Sequence, residues 1–277
     1  MTKINKQKLR SPCLNVLKIL MVLIVPFLWP AEACLAESAI NCHCFQNREY
    51  NASQKFAADD YMLATGFNSL LAGMYPVSKK SIIMLKMQHG VDSADLVTAL
   101  YLSRILETDF QQFLKERATD LSWQQIVSSA EINSSQKKDE VVLALNAGNE
   151  QSATARASSA VIEGCFSVSE NKIKEFRANG LDDKMIVVLL ALSHECGRSP
   201  EELATGYLNK GQSWSEIAAS CAITPGQIGK KIEALAAKSS KSNRPASESG
   251  SSAAADGIKN YELRISVFSH QITSFNS

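Results

Sequence analysis

Apolar residues recur at helical spacing in two separate stretches of the chain. Leu96, Leu100 and Ile105 follow that spacing in one stretch, and Ile186, Leu190 and Leu192 follow it in the other. Setting the segment from Gly90 against the segment from Gly180 shows an internal repeat. Gly90 matches Gly180, Asp92 matches Asp182, and Leu102-Ser103 matches Leu192-Ser193. After one extra residue in the second copy, Ser122-Trp123 matches Ser213-Trp214 and Ile126 matches Ile217.

The polar positions between these runs carry capping chemistry. A glycine that suits a left-handed helix end is followed two residues later by Asp92 or Asp182, each able to cap the next helix. Asp109 and Ser199 take the second cap position, with Pro200 at a favoured first helical position. Ser122 and Ser213 cap a third helix that opens on tryptophan. Each copy therefore predicts three helices, preceded by a further one at Ile82–Gln88 or Ile173–Asn179. Asp60–Met74 and Asp139–Asn146 predict two more.

The expected architecture is all-α, with two related three- to four-helix units in tandem. Residues 37–146 form the first unit and 161–237 the second. Residues 147–160, polar and rich in small side chains (AGNEQSATARASS), read as a flexible linker. The tail, 238–277, reads as disordered, with one short alternating segment at Tyr261–Val267 that predicts a strand.

The amino end has a different pattern. Lys3, Lys6, Lys8 and Arg10 precede an apolar run from Ile19 to Trp29, and the small-residue exit PAEACLAES follows. This is the layout of a secretory signal peptide, residues 1–36, and the apolar run is shorter than the ~20 residues that span a bilayer. Cleavage fits after Ala33 or after Ala36. The first cut exposes Cys34, where a lipid would tether the chain, and the second releases it. The expected location is periplasmic or secreted, with membrane contact only through the signal or that lipid.

Composition adds two constraints. The net charge is +1, which gives no electrostatic reason for a nucleic-acid partner, and only 7% of residues are aromatic. Seven cysteines occur, and Cys42, Cys44, Cys165, Cys196 and Cys221 lie beyond the expected signal. Outside the cytoplasm such thiols pair or bind metal. Cys196 and Cys221 align with Leu106 and Ala130 of the first copy, so two apolar positions became cysteines within one unit. That predicts a Cys196–Cys221 disulfide, leaving Cys165 with Cys42 or Cys44.

Cys42, His43 and Cys44 are candidate metal ligands, with Met84, Met87 and His89 supplying further soft or imidazole groups. No second ligand pair stands at structural-zinc spacing. His194-Glu195 lacks the second histidine of a metalloprotease helix, and no nucleophile, nucleotide or cofactor motif is present. Neither a catalytic residue nor a cofactor is therefore assigned. For an enzyme with dispersed groups, Asp59, Asp60 and His89 would be the first residues to test. Residues 214–232 have a helix-turn-helix pattern whose second helix offers Gln227, Lys230 and Lys231, without arginine.

CHCFQNREYN, AADDYMLATGFNSLLA and KKSIIMLKM together resemble a group of exported bacterial proteins of unassigned function. Those proteins have a Cys-x-Cys-Phe-x-x-Arg mature start and helical units ending Ser-Trp-x-x-Ile. The resemblance covers about Cys42–Ser129, and it implies an exported, all-helical protein without supplying active-site residues. The leading functional expectation is a non-enzymatic interaction or scaffold module with a protein partner in the cell envelope. A metal- or redox-responsive binding protein using Cys42, His43 and Cys44 is the alternative, and a DNA-binding helix-turn-helix protein is the second.

Overall fold

In the computed structural model residues 45–242 are described, and they form twelve α-helices with no strand among them. The export segment with Cys34, the candidate ligands Cys42, His43 and Cys44, and the expected strand at Tyr261–Val267 lie outside the described residues. The helices are α1 (Asp59–Met74), α2 (Lys79–Gln88), α3 (Ser93–Leu106), α4 (Phe110–Arg117), α5 (Trp123–Ser129) and α6 (Glu140–Asn146). They continue with α7 (Glu150–Phe166), α8 (Glu170–Ala178), α9 (Asp183–Cys196), α10 (Pro200–Lys210), α11 (Trp214–Ser220) and α12 (Pro225–Ser242). No helix among the described residues is long and apolar enough to cross a membrane.

The caps explain why these helices begin where they do. Asp92 and Asp182 accept from the first turns of α3 and α9, and Asp109 and Ser199 do so for α4 and α10. Ser122 and Ser213 each complete a capping box, with Gln125 and Glu216 reaching back from the third helical position. Gly90 (φ 63°) and Gly180 (φ 93°) stand in the left-handed region where glycine avoids a Cβ clash. Ser78 caps α2 and Ser169 caps α8, so α2–α5 and α8–α11 carry serine or aspartate caps in the same order, each run preceded by a long helix, α1 or α7.

The expected linker is where the structure corrects the sequence reading. Residues 150–160 belong to α7, capped by Asn149, with Ala153, Ala157, Ser158 and Ser159 buried. The segment lacks large apolar residues because its buried face is made of small ones, which let neighbouring helices approach closely. Thr98 of α3 and Thr154 of α7 meet there at 3.1 Å between hydroxyl oxygens. The tail is also shorter at its start than expected, since residues 238–242 continue α12.

The two copies do not fold as separate beads. The middle helix α3 of the first copy packs on α7, the first helix of the second copy, and α9 of the second packs on α1 of the first. Buried apolar residues from both copies join one core, with Trp123 and Trp214 fully enclosed in it. The same exchange appears in the hydrogen bonds. Glu150, the first residue of α7, accepts from the backbone N–H of Trp123 at 3.0 Å. Asp59, the first residue of α1, accepts from the backbone N–H groups of Trp214 and Ser215, both at 2.9 Å. Each copy thus supplies a carboxylate that satisfies the open amino end of the other copy's tryptophan helix.

Helix α12 closes the structure by lying along α1, the most extensive helix pairing among the described residues. Gly66 and Gly73 on α1, with Gly229 and Ala236 on α12, hold the two backbones close. A Cβ at Gly73 would sit 2.5 Å from the Cβ of Ala236 and 2.8 Å from the Glu233 carbonyl oxygen.

Alanine ordinarily favours a helix over glycine by up to ~1 kcal/mol. At residue 73 the backbone contact outweighs that gain, and Gly73→Ala is expected to destabilise by about 1–3 kcal/mol in a urea titration. Asp59→Ala leaves two enclosed N–H groups without an acceptor and is expected to cost about 1–3 kcal/mol. Glu150→Ala costs less, because the Glu150 side chain is 39% exposed and water replaces it, whereas Asp59 is 7% exposed. Equal losses for the two variants in parallel titrations would contradict the difference in burial.

Candidate functional site

A small surface dimple, with room for roughly one water molecule, lies against α1, α2 and the first turn of α9. Phe45, Ala64, Phe67 and Ile83 supply its apolar wall, and Asn68, Lys86 and Lys184 supply its polar groups. The local sequence explains the arrangement. Ala64, Phe67 and Asn68 are spaced three and four apart on α1, as are Ile83 and Lys86 on α2, so each helix offers one face. Lys184 comes from the turn that Asp182 caps.

Lys86 has an unusual setting for a lysine. Its ammonium donates to Asn68 Oδ1 at 2.8 Å and lies 5.7 Å from the centre of the Phe67 ring. Burial is the main cause that lowers its pKa to about 8, and the neighbouring positive charge of Lys184 lowers it further. Asp92 acts in the opposite direction. Neither Lys86 nor Lys184 forms an ion pair with a carboxylate among the described residues. A second lysine of α2, Lys79, donates to Thr65 Oγ1 at 2.7 Å, and burial lowers its pKa as well.

None of the described residues singled out in the sequence lines this pocket. Cys42, His43 and Cys44 directly precede Phe45, and their own positions are outside the described residues. Met84 is half-buried on α2 and Met87 is 37% exposed. Among the described residues no group of three His, Cys, Asp or Glu side chains could hold a metal ion. Asp59 is used as a cap rather than aimed at a cleft, and burial raises its pKa. His194 Nδ1 lies 3.3 Å from Glu195, whose other carboxylate oxygen pairs with Lys231 of α12. Of the helix-turn-helix residues, Lys231 is therefore engaged within the fold, and Gln227 and Lys230 are exposed.

Cys196 and Cys221 form a disulfide, with their Cα atoms 5.6 Å apart, and it ties the end of α9 to the end of α11. Cys165 carries no disulfide and is buried, and burial pushes its thiol pKa up to about 12. Sequence reasoning did not find the Lys86 pocket. The signal was weak: Lys86 between Leu85 and Met87, and Lys184 between Asp183 and Met185, on helices whose partners cannot be read from the pattern.

The tryptophan helices have matched caps and different surroundings. Trp123 donates its indole N–H to Asp95 at 2.7 Å, and Arg117 bridges Asp95 and Glu150. Trp214 instead stacks on Tyr207, with ring centres 4.5 Å apart and planes inclined by 17°. The first tryptophan is fixed by charge-assisted hydrogen bonds and the second by ring contact.

Lys86 gives a pH test. Its folded pKa lies below that of an unfolded lysine, so the unfolded chain binds more protons between about pH 8 and 10.5 and stability rises with pH there. Lys86→Met removes this dependence. Its stability advantage over the wild type should shrink by about 3 kcal/mol in total across that window. A constant difference between pH 7.5 and 10.5 would show that Lys86 titrates normally. The chain matches no family model, no curated protein and no solved structure, so its functional reading rests on its own residues.

Proposed function

We propose that the protein works outside the cytoplasm as a non-enzymatic interaction module for a protein partner in the cell envelope. The Cys196–Cys221 disulfide carries this reading. Such bonds persist in oxidising compartments and are rare where thiol reductants circulate. The basic flank, short apolar run and small-residue exit of the first 36 residues support the same address.

The frame suits a binding role. Stacked short helices present surfaces that are held by the core behind them. Leu143 on α6 and Leu208 on α10 are 53% and 41% exposed, which leaves apolar side chains for a partner to cover. The surrounding core is cross-capped and covalently tied, so a partner meets a preformed surface and loses little to ordering it.

The compartment is tested by thiol alkylation of intact cells expressing the full chain, without and with reductant. Cys196 and Cys221 are expected to resist alkylation until reductant is added, in a protein that fractionates outside the cytoplasm and lacks its first residues. Both cysteines alkylated without reductant, in a cytoplasmic chain that still begins at Met1, would overturn the proposal.

A further inference from the structure

We propose that Asn51 and Asn133 are glycosylation sites, each receiving an oligosaccharide from a polyprenyl diphosphate carrier on the outer side of the membrane. The proposal rests on the export reading, since a chain kept in the cytoplasm does not meet such a donor.

The first support is the acceptor chemistry of two short segments. Asn-x-Ser without a middle proline occurs at Asn51-Ala52-Ser53 and at Asn133-Ser134-Ser135, and Asn-x-Thr does not occur. A carboxylate stands two residues before each asparagine, Glu49 in one segment and Glu131 in the other. Bacterial transferases that use lipid-linked oligosaccharides read an acid at that position, where it offers a charge-assisted contact to a cationic groove. The internal repeat does not relate the two segments to each other, so duplication does not explain the shared carboxylate.

The second support is how the fold presents them. Glu49, Asn51 and Ser53 are exposed, as are Glu131, Asn133 and Ser135. Neither Glu49 nor Glu131 forms an ion pair among the described residues. Each segment runs from irregular backbone into a single 3-10 turn, at Ala52–Gln54 or at Gln136–Lys138. Neither turn contains a buried residue, so a transferase can open it without disturbing the core.

The local hydrogen bonds bring the recognised groups together. Asn51 Oδ1 accepts from the Ser53 backbone N–H at 2.9 Å, and Asn133 Oδ1 accepts from that of Ser135 at 3.0 Å. The Ser135 hydroxyl also donates to Asn133 Oδ1, at 2.7 Å. No hydrogen bond from either Nδ2 is present among the described residues, so transfer to that nitrogen displaces no contact of the fold.

In the transfer, the Nδ2 lone pair attacks the anomeric carbon of the lipid-linked sugar. The N–C bond forms as the bond from that carbon to the diphosphate oxygen breaks, and the polyprenyl diphosphate leaves with the electron pair. The proton lost from Nδ2 passes to a carboxylate of the transferase and then to water. Nothing is oxidised or reduced, and the product is a bulky, solubilising group at the surface.

The test is glycopeptide mass spectrometry of the full-length gene product purified from fractions of the cells that naturally make it. The wild type is compared with Asn51→Gln, Asn133→Gln, Glu49→Gln and Glu131→Gln. The wild type is expected to carry a glycan on both asparagines, and each asparagine variant loses the glycan at its own site alone. Each glutamate variant lowers occupancy at its own site by about tenfold, the effect of losing one charge-assisted contact. The same digest reads the amino terminus, which separates this proposal from the export reading. A processed chain outside the cytoplasm with both asparagines unmodified overturns the proposal and leaves export standing. A cytoplasmic chain that still begins at Met1 overturns both. Full occupancy in both glutamate variants contradicts the role given to the carboxylates and overturns the proposal as stated.

Discussion

The structure depends on the close crossing of α1 and α12. Gly73 and Ala236 meet there with so little space that one added methyl group would press on the backbone of Glu233. Because α12 is the last described helix and α1 the first long one, this contact joins the two ends of the described chain. Helix α9 lies against the same α1, so the second copy of the repeat is built around a helix supplied by the first. The reciprocal contact of α3 with α7 completes the exchange. Neither copy holds its own middle helix against its own first helix as extensively. The two halves share one core and one set of caps for that reason.

Much of this was legible in the sequence, because the relevant signals are local. A capping residue acts within one turn, so Asp92, Asp182, Ser122 and Ser213 could be placed from spacing alone. The Cys196–Cys221 pair was legible through alignment of the chain with itself, since both cysteines replaced apolar residues of the other copy. The first part of α7 looks like linker in the sequence because the residues it buries are Ala153, Ala157, Ser158 and Ser159, with the larger Val161 and Ile162 coming only later. Small residues look like linker composition when no partner surface is known. In this core they permit close helix packing, and the same residues serve opposite readings.

The exchange of first helices was not legible, and neither was the lysine pocket. Asp59 and Glu150 are acidic residues at helix starts, a pattern explained locally by the positive end of the helix. Their second role, accepting from a tryptophan helix 155 and 27 positions away in sequence, depends on packing. The pocket likewise combines residues from α1, α2 and α9 with Phe45, and no spacing rule connects Lys86 to Lys184. The covalent tie and the address expected of the amino end concern where the protein works.

Native-state hydrogen exchange followed by peptide mass spectrometry tests the shared core most directly. The peptides to compare come from α1, α3, α7, α9 and α12, each of which joins the two copies. If the copies are interlocked through α1 and α7, the slowest amides of all five helices exchange with one opening free energy, equal to that of global unfolding. If α3 and α7 retain protection while α9 and α12 open at a distinctly lower free energy, the copies fold as separate units and the account is wrong.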